Sequence, residues 1–226
     1  MDKKKAVYVP TVGEEIGNAV SHGVMSLLSL LALPFAAVWA YAHDPGGVLA
    51  SVSVSVFVIS IFLMFLASTL YHSMNPQSKH KEVFHILDHI FIYVAIAGSY
   101  TPICLITLRG PQGTALCAAV WAVALAGIAI KALWITCPKW FSSLIYIAMG
   151  WVCVLAITKI LDSMPKAGFM WLLTGGIIYT VGGIIYALKL PFFNSRHKYF
   201  GSHEIFHLFV MGGSICHYVM MYRFVA

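Results

Sequence analysis

Near the C-terminus the chain reads GSHEIFHLFVMGGSICH, from Gly201 to His217. His203 and His207 are four residues apart, so a helix puts both on one face, where two imidazoles can share one metal ion. Phe206, Leu208, Phe209 and Val210 cannot solvate a ring nitrogen. The two imidazoles must therefore find a metal or a polar partner carried in by another helix. Three more residues offer matching chemistry: His72 is a third imidazole, Asp88 a carboxylate, and Ser68 a hydroxyl one helical turn before His72. Three imidazoles leave a tetrahedral zinc ion one open position, the arrangement used for hydrolysis. Zinc brings the pKa of a coordinated water to about 7. Asp88 would hold that water and take its proton as general base, and Ser68 would donate to a developing oxyanion. The same three ligands also suit other divalent ions.

Each residue has a plainer reading. A lone i, i+4 histidine pair in one helix often arises by chance. His72, near a helix end, can face headgroups, and Asp88 can sit in the favourable field of a helix N-terminus. What favours the metal is that elements far apart in sequence must place all five residues at one depth.

Those elements are membrane helices. The chain has 226 residues, of which 60% are hydrophobic and 10% charged, with a mean hydropathy of +0.86. Soluble domains carry about 25% charged residues. That length accommodates seven spans of about 20 residues and no separate soluble domain, so residues 1–226 are expected to form one domain.

The apolar runs predict spans at about 16–42, 48–72, 85–108, 113–135, 141–161, 169–188 and 201–224. Six spans would leave the last apolar segment unexplained. Pro34 and Pro102 fall inside spans, where each is expected to kink its helix. Ala40-Tyr41-Ala42 looks like a signal-peptidase site, but the preceding run is too long for a typical h-region and follows two acids, so the segment is expected to stay. The five cysteines show no C-x-x-C spacing, which argues against a disulfide framework or a thiolate metal site.

Basic residues orient the bundle. With the N-terminus in the cytoplasm, Lys3, Lys4, Lys5, Lys79, Lys81, Lys131, Lys139, Lys189, Arg196 and Lys198 lie inside. Arg109, Lys159, Lys166 and Arg223 lie outside. Ten against four accounts for all 14 basic residues and predicts N-terminus in and C-terminus out. Topology thus explains the net charge of +6, and no nucleic-acid partner is expected. The end of the second span and the starts of the third and seventh then share the inner face, which gathers Ser68, His72, Asp88, His203 and His207.

Other polar residues fit less directly. His85 and His89 flank Asp88 as a rim or as outer partners. His217 lies ten residues beyond His207, about 15 Å deeper by helical rise, too far to join the same ion. Asn18, Ser21 and His22 form a polar cluster in the first span, and Glu14 and Glu15 either cap that helix or close the site. Gly175, Gly176, Gly182 and Gly183 are expected to serve helix packing. Tryptophans and tyrosines near span ends, such as Trp39, Tyr41, Trp140 and Trp171, are expected to anchor at the interface.

In combination, these motifs resemble the bacterial hemolysin III proteins. The residues that carry the resemblance are Glu14-Glu15, Asn18, Ser21-His22-Gly23, Ala67-Ser68-Thr69-Leu70-Tyr71-His72, Asp88-His89, Gly98-Ser99-Tyr100-Thr101-Pro102, His203-x-x-x-His207 and His217. That family belongs with the progestin and adipoQ receptor superfamily, which includes the adiponectin receptors, and is distantly similar to alkaline ceramidases. The resemblance implies a seven-helix, multi-pass protein of the bacterial inner membrane. It also implies zinc near the inner face on His72, His203 and His207, with Asp88 beside the zinc-bound water and Ser68 as the superfamily serine. The chain lacks the long soluble N-terminal region of the animal receptors, so hormone signalling and adaptor docking are not expected of it. The first functional expectation is a zinc-dependent hydrolase acting on a membrane lipid amide or ester, in the manner of a ceramidase. The alternatives are a lipid-responsive, receptor-like regulator with structural zinc, and a cytolysin. A cytolysin would need a polar stripe through several helices, whereas here the polar residues cluster at one end.

Overall fold

Thr11 starts the first helix. Its side chain accepts from the Glu14 backbone N–H at 3.3 Å, and its own N–H donates to Glu14 Oε2 at 2.6 Å. This reciprocal cap satisfies two donors that a helix start otherwise leaves without partners. It also begins the helix four residues earlier than hydropathy alone indicates and carries Glu14 and Glu15 into its first turn.

The structure is a computed structural model that describes residues 11–134, 136–188 and 201–226. Lys3, Lys4, Lys5, Lys189, Arg196 and Lys198, counted above in the charge balance, lie outside the described residues. Seven helical segments among the described residues are long and apolar enough to cross a membrane: Val12–His43, Val48–Ser73, Lys81–Thr107, Pro111–Leu133, Trp140–Ser163, Lys166–Leu188 and Ser202–Val225. They form an all-helical seven-span bundle, with no strand among the described residues.

The first helix is inside out relative to a helix of a soluble protein. Glu14, Asn18, His22 and Ser26 are buried, Asn18 at 2% and His22 at 4% exposure, while Leu31 is 55% and Phe35 73% exposed. Only a hydrocarbon surrounding makes that arrangement favourable. The second helix packs between the first and third, and the sixth packs along the seventh. Hydroxyls on the second helix are satisfied locally: Ser53, Ser55, Ser60 and Thr69 each donate to the carbonyl four residues back, at 2.6–2.8 Å. Phe57, Phe65, Val54 and Met220 fill the centre between these helices.

Three of the seven spans are irregular, the seventh in that it ends in a π turn, Met221–Val225. Pro34 lies within a helix that runs unbroken from Val12 to His43, whereas Pro102 is followed at once by a wider π turn, Ile103–Thr107. The fifth span breaks at Gly150, runs as a tight 3₁₀ segment over Trp151–Ala156 and resumes at Ile157. Tyr100 of the third span bridges that break. Its hydroxyl donates to the Gly150 carbonyl at 2.7 Å and accepts from the Cys153 N–H at 2.9 Å.

The sixth-span glycines divide between two jobs. A Cβ on Gly182 would meet Phe209 Cβ at 2.6 Å, and one on Gly175 would run into the His217 ring. Gly176 and Gly183 instead line an internal cavity. All five cysteines are free. Cys137 takes part in a buried polar knot, with Lys131 Nζ 3.3 Å from both Cys137 Sγ and Ser142 Oγ. At the bundle end opposite the histidines, Arg109, in a left-handed backbone conformation at φ 32°, clamps both oxygens of Asp44.

Candidate metal centre

His72 occupies the last turn of the second span, one turn beyond Ser68, and both are buried. The seventh helix begins at Ser202, where Glu204 Oε2 accepts from the Gly201 N–H at 2.7 Å. His203 and His207, in the first two turns of this helix, face the second span. His72 Nε2 and His203 Nε2 approach to 3.2 Å. One nitrogen from each of His72, His203 and His207 falls within 4.8 Å of the other two.

The protonation pattern of His72 follows from its partner. Its Nδ1 lies 2.7 Å from Glu15 Oε2. An ionised carboxylate can only accept, so Nδ1 carries a proton, and the neutral ring then turns its Nε2 lone pair toward His203. The geometry suits a tetrahedral cation. Two nitrogens bound at 2.0–2.1 Å around such an ion are separated by about 3.3 Å, close to the distance here. The His72–His203 pair therefore has the spacing of two ligands on one first-row divalent metal, and a His207 nitrogen lies within 4.8 Å of both.

The first helix surrounds this trio with polar groups. Glu15 Oε1 meets Lys81 Nζ at 3.4 Å, and Lys81 also reaches the Met74 carbonyl at 3.3 Å. Asn18 Nδ2 donates to Glu204 Oε1 at 2.9 Å. The His22 ring lies flat on His207, with centroids 3.7 Å apart and planes at 11°, and sets its edge against Phe65.

A cavity of about 160 Å³ opens beside the imidazoles. At its polar end it is lined by Ser68, Asp88, His203 and His207, and it runs between mostly apolar side chains as far as Tyr179 and His217. The five residues singled out by sequence thus gather in one region: three as the imidazole cluster, Ser68 and Asp88 in the wall of the adjoining cavity. His85 stands outside the trio, stacked on Tyr71. His89 is 3.8 Å from Asp88 and directs Nδ1 to the His85 carbonyl at 2.9 Å. His217 hydrogen-bonds the Gly213 carbonyl through Nδ1 at 2.9 Å, within the bundle.

Sequence reasoning left Glu15 undecided between a cap and a closing group. Glu14 is the cap, and Glu15 is the partner of His72. The signal was present in the spacing: Glu15, Asn18 and His22 recur at i, i+3 and i+7, a polar stripe along one face of an apolar helix.

The fold and the cluster together define a seven-span membrane protein with a three-histidine centre at one end of the bundle. The chain belongs to the family described as Haemolysin-III related, which matches residues 11–218. It is 42% identical over 215 residues to Hemolysin-3 of Bacillus cereus, covering 95% of this chain and 93% of that one. More distantly, it is 25% identical over 175 residues to the human monocyte to macrophage differentiation factor, covering 75% and 68% of the two chains. A segment of 70 residues, 27% of this chain and 16% of the other, is 34% identical to an adiponectin receptor protein of Drosophila melanogaster.

Proposed function

We propose that this protein is a zinc-dependent hydrolase that acts on a lipid amide or ester at the cytoplasmic face of a bacterial inner membrane, with residues 1–226 as one domain. The observation that carries this reading is the convergence of three imidazoles at the polar end of an apolar cavity that Asp88 and Ser68 also line. His72, His203 and His207 would hold the ion. A zinc ion on those ligands supplies a Lewis acid and an acidified water. Asp88 takes the proton from the attacking water as its oxygen bonds to the acyl carbon. Asp88 then returns the proton to the departing nitrogen or oxygen as the acyl bond breaks. The Ser68 hydroxyl donates to the oxyanion formed between these steps. The apolar length of the cavity receives the acyl chain, with the reacting carbonyl at its polar end. The excess of Lys and Arg expected on that side supports the cytoplasmic placement.

The test is metal analysis of purified protein, with lipid hydrolysis measured for wild type and Asp88→Asn. The reading expects bound zinc in both and turnover in the wild type alone. Turnover that persists unchanged in Asp88→Asn defeats it.

A second reading, a lipid-responsive regulator with structural zinc, is favoured by one feature: the ligands come from two spans, so an ion would tie the second to the seventh. It predicts metal retention without hydrolysis and loss of stability on His→Ala substitution. The name of the Bacillus cereus relative, Hemolysin-3, raises a third, membrane lysis, which dye release from vesicles checks. The clustering of polar residues at one end of the bundle ranks it last.

A further inference from the structure

The three imidazoles belong to the second and seventh spans, yet the groups that steer them belong to the first. Glu15, Asn18 and His22 form one stripe on the helix Val12–His43, and each touches a different part of the cluster. Glu15 takes the Nδ1–H of His72 at 2.7 Å. Asn18 donates to Glu204 Oε1 at 2.9 Å, and the other oxygen of Glu204 caps the Gly201 N–H. Both oxygens of Glu204 are thereby engaged at the start of the helix that carries His203 and His207. The His22 ring covers one face of His207.

We propose that this stripe is the positioning shell of the metal centre and that Glu15 is its principal member, the residue that makes His72 a ligand. The proposal rests on the metal reading given above. An imidazole has two nitrogens and, when neutral, one proton, so either tautomer is available to a free side chain. With Nδ1–H held by a carboxylate, only the tautomer with its lone pair on Nε2 remains. The same bond fixes the ring rotation and makes the lone pair more basic. Lys81 completes the device. Its ammonium engages Glu15 Oε1 at 3.4 Å, leaving Oε2 for His72, and its second contact, to the Met74 carbonyl, ties it to the end of the second helix. Glu15, Asn18 and His22 are therefore positioning residues that act through the ligands.

The experiment uses the full chain in detergent, stripped of metal and titrated with cobalt(II) against a competing chelator. Affinity and the visible absorption of four-coordinate cobalt are both recorded. Loss of the carboxylate in Glu15→Ala is expected to weaken binding about 10- to 100-fold. Glu15→Gln, whose amide oxygen still accepts from Nδ1–H, should lose less. Once His72 is removed, Glu15 has nothing left to position, so Glu15→Ala added to His72→Ala should cost no further affinity. Thermal unfolding of the metal-free variants separates this role from a structural one. Unfolding close to that of the wild type supports positioning. Should Glu15→Ala fail to fold, Glu15→Gln carries the same comparison with and without His72. Wild-type cobalt affinity and spectrum in both Glu15 variants, or an equal loss in the His72→Ala background, overturns the proposal while leaving the metal reading intact. A wild-type protein that takes up no cobalt or zinc overturns both.

Discussion

The Nε2 atoms of His72 and His203 stand 3.2 Å apart although 131 positions separate the two residues in the chain. Two imidazole nitrogens at that distance can share a proton or a cation, and the Glu15 carboxylate, by holding the proton of His72 on Nδ1, leaves its Nε2 as an acceptor. A cation shared between them would link the second span to the seventh, so binding would be felt as stability. Saturation at 100 times the dissociation constant contributes about 2.7 kcal/mol. Thermal unfolding in detergent should therefore drop when a chelator is added to wild type. It should not respond to chelator in His72→Ala, His203→Ala or His207→Ala. A chelator response that survives in all three variants would place the ion elsewhere.

The close approach of the sixth and seventh spans depends on absent side chains. A methyl group at Gly213 would stand 2.7 Å from the Tyr179 ring, and one at Gly182 would stand 2.6 Å from Phe209 Cβ. Neither neighbour is the free end of a flexible chain. Gly213→Ala and Gly182→Ala should each cost about 1–3 kcal/mol through overpacking, read as a lower unfolding midpoint. Gly176→Ala, with open space around the added carbon, should unfold like wild type. Because Gly176 lines the cavity, that variant reports on lipid binding without a stability penalty.

Much of this was legible in the residues, and the rest for physical reasons was not. Seven apolar runs announce seven spans because backbone in hydrocarbon must satisfy itself within a helix. The ends are blurred by caps such as that of Thr11 with Glu14. The histidine cluster could be read because i, i+4 spacing fixes a face and alternating direction fixes a depth. The partner of Glu15 could not be assigned, since the bond to His72 spans 57 residues and depends on how two helices pack. The glycines expected to serve helix packing divide into two sets because adjacent residues on a helix point about 100° apart. The break at Gly150 was invisible, as the group that stabilises it sits 50 residues away on Tyr100.

At the opposite end of the bundle, Arg109 grips Asp44 and so joins the turn after the first span to the turn after the third. The Arg109 side chain is 48% exposed, and water screens the pair. Arg109→Ala should lower stability by no more than about 1 kcal/mol, and the difference should shrink as salt is raised. Metal content and lipid turnover should stay at wild-type levels in this variant. A change in either would mean that the two ends of the bundle are coupled.

Tyr100 offers the sharpest test of the broken fifth span. Its hydroxyl accepts from the Cys153 N–H and donates to the Gly150 carbonyl, at the first turn of the 3₁₀ segment. Tyr100→Phe keeps the ring and removes the hydroxyl from both groups. A hydrogen bond lost in this way costs about 0.5–1.5 kcal/mol. The fifth span is expected to respond by closing into a continuous α-helix through Gly150 or by opening locally. Hydrogen exchange discriminates between these outcomes, because local opening speeds exchange at residues 150–156 and helix closure slows it. Exchange unchanged throughout that stretch would show that the break is held by the local backbone and not by Tyr100. Since Tyr100, Gly150 and Trp151 also line the cavity, either response should alter how tightly a fluorescent fatty-acid analogue binds, whereas the imidazole cluster should keep its metal affinity.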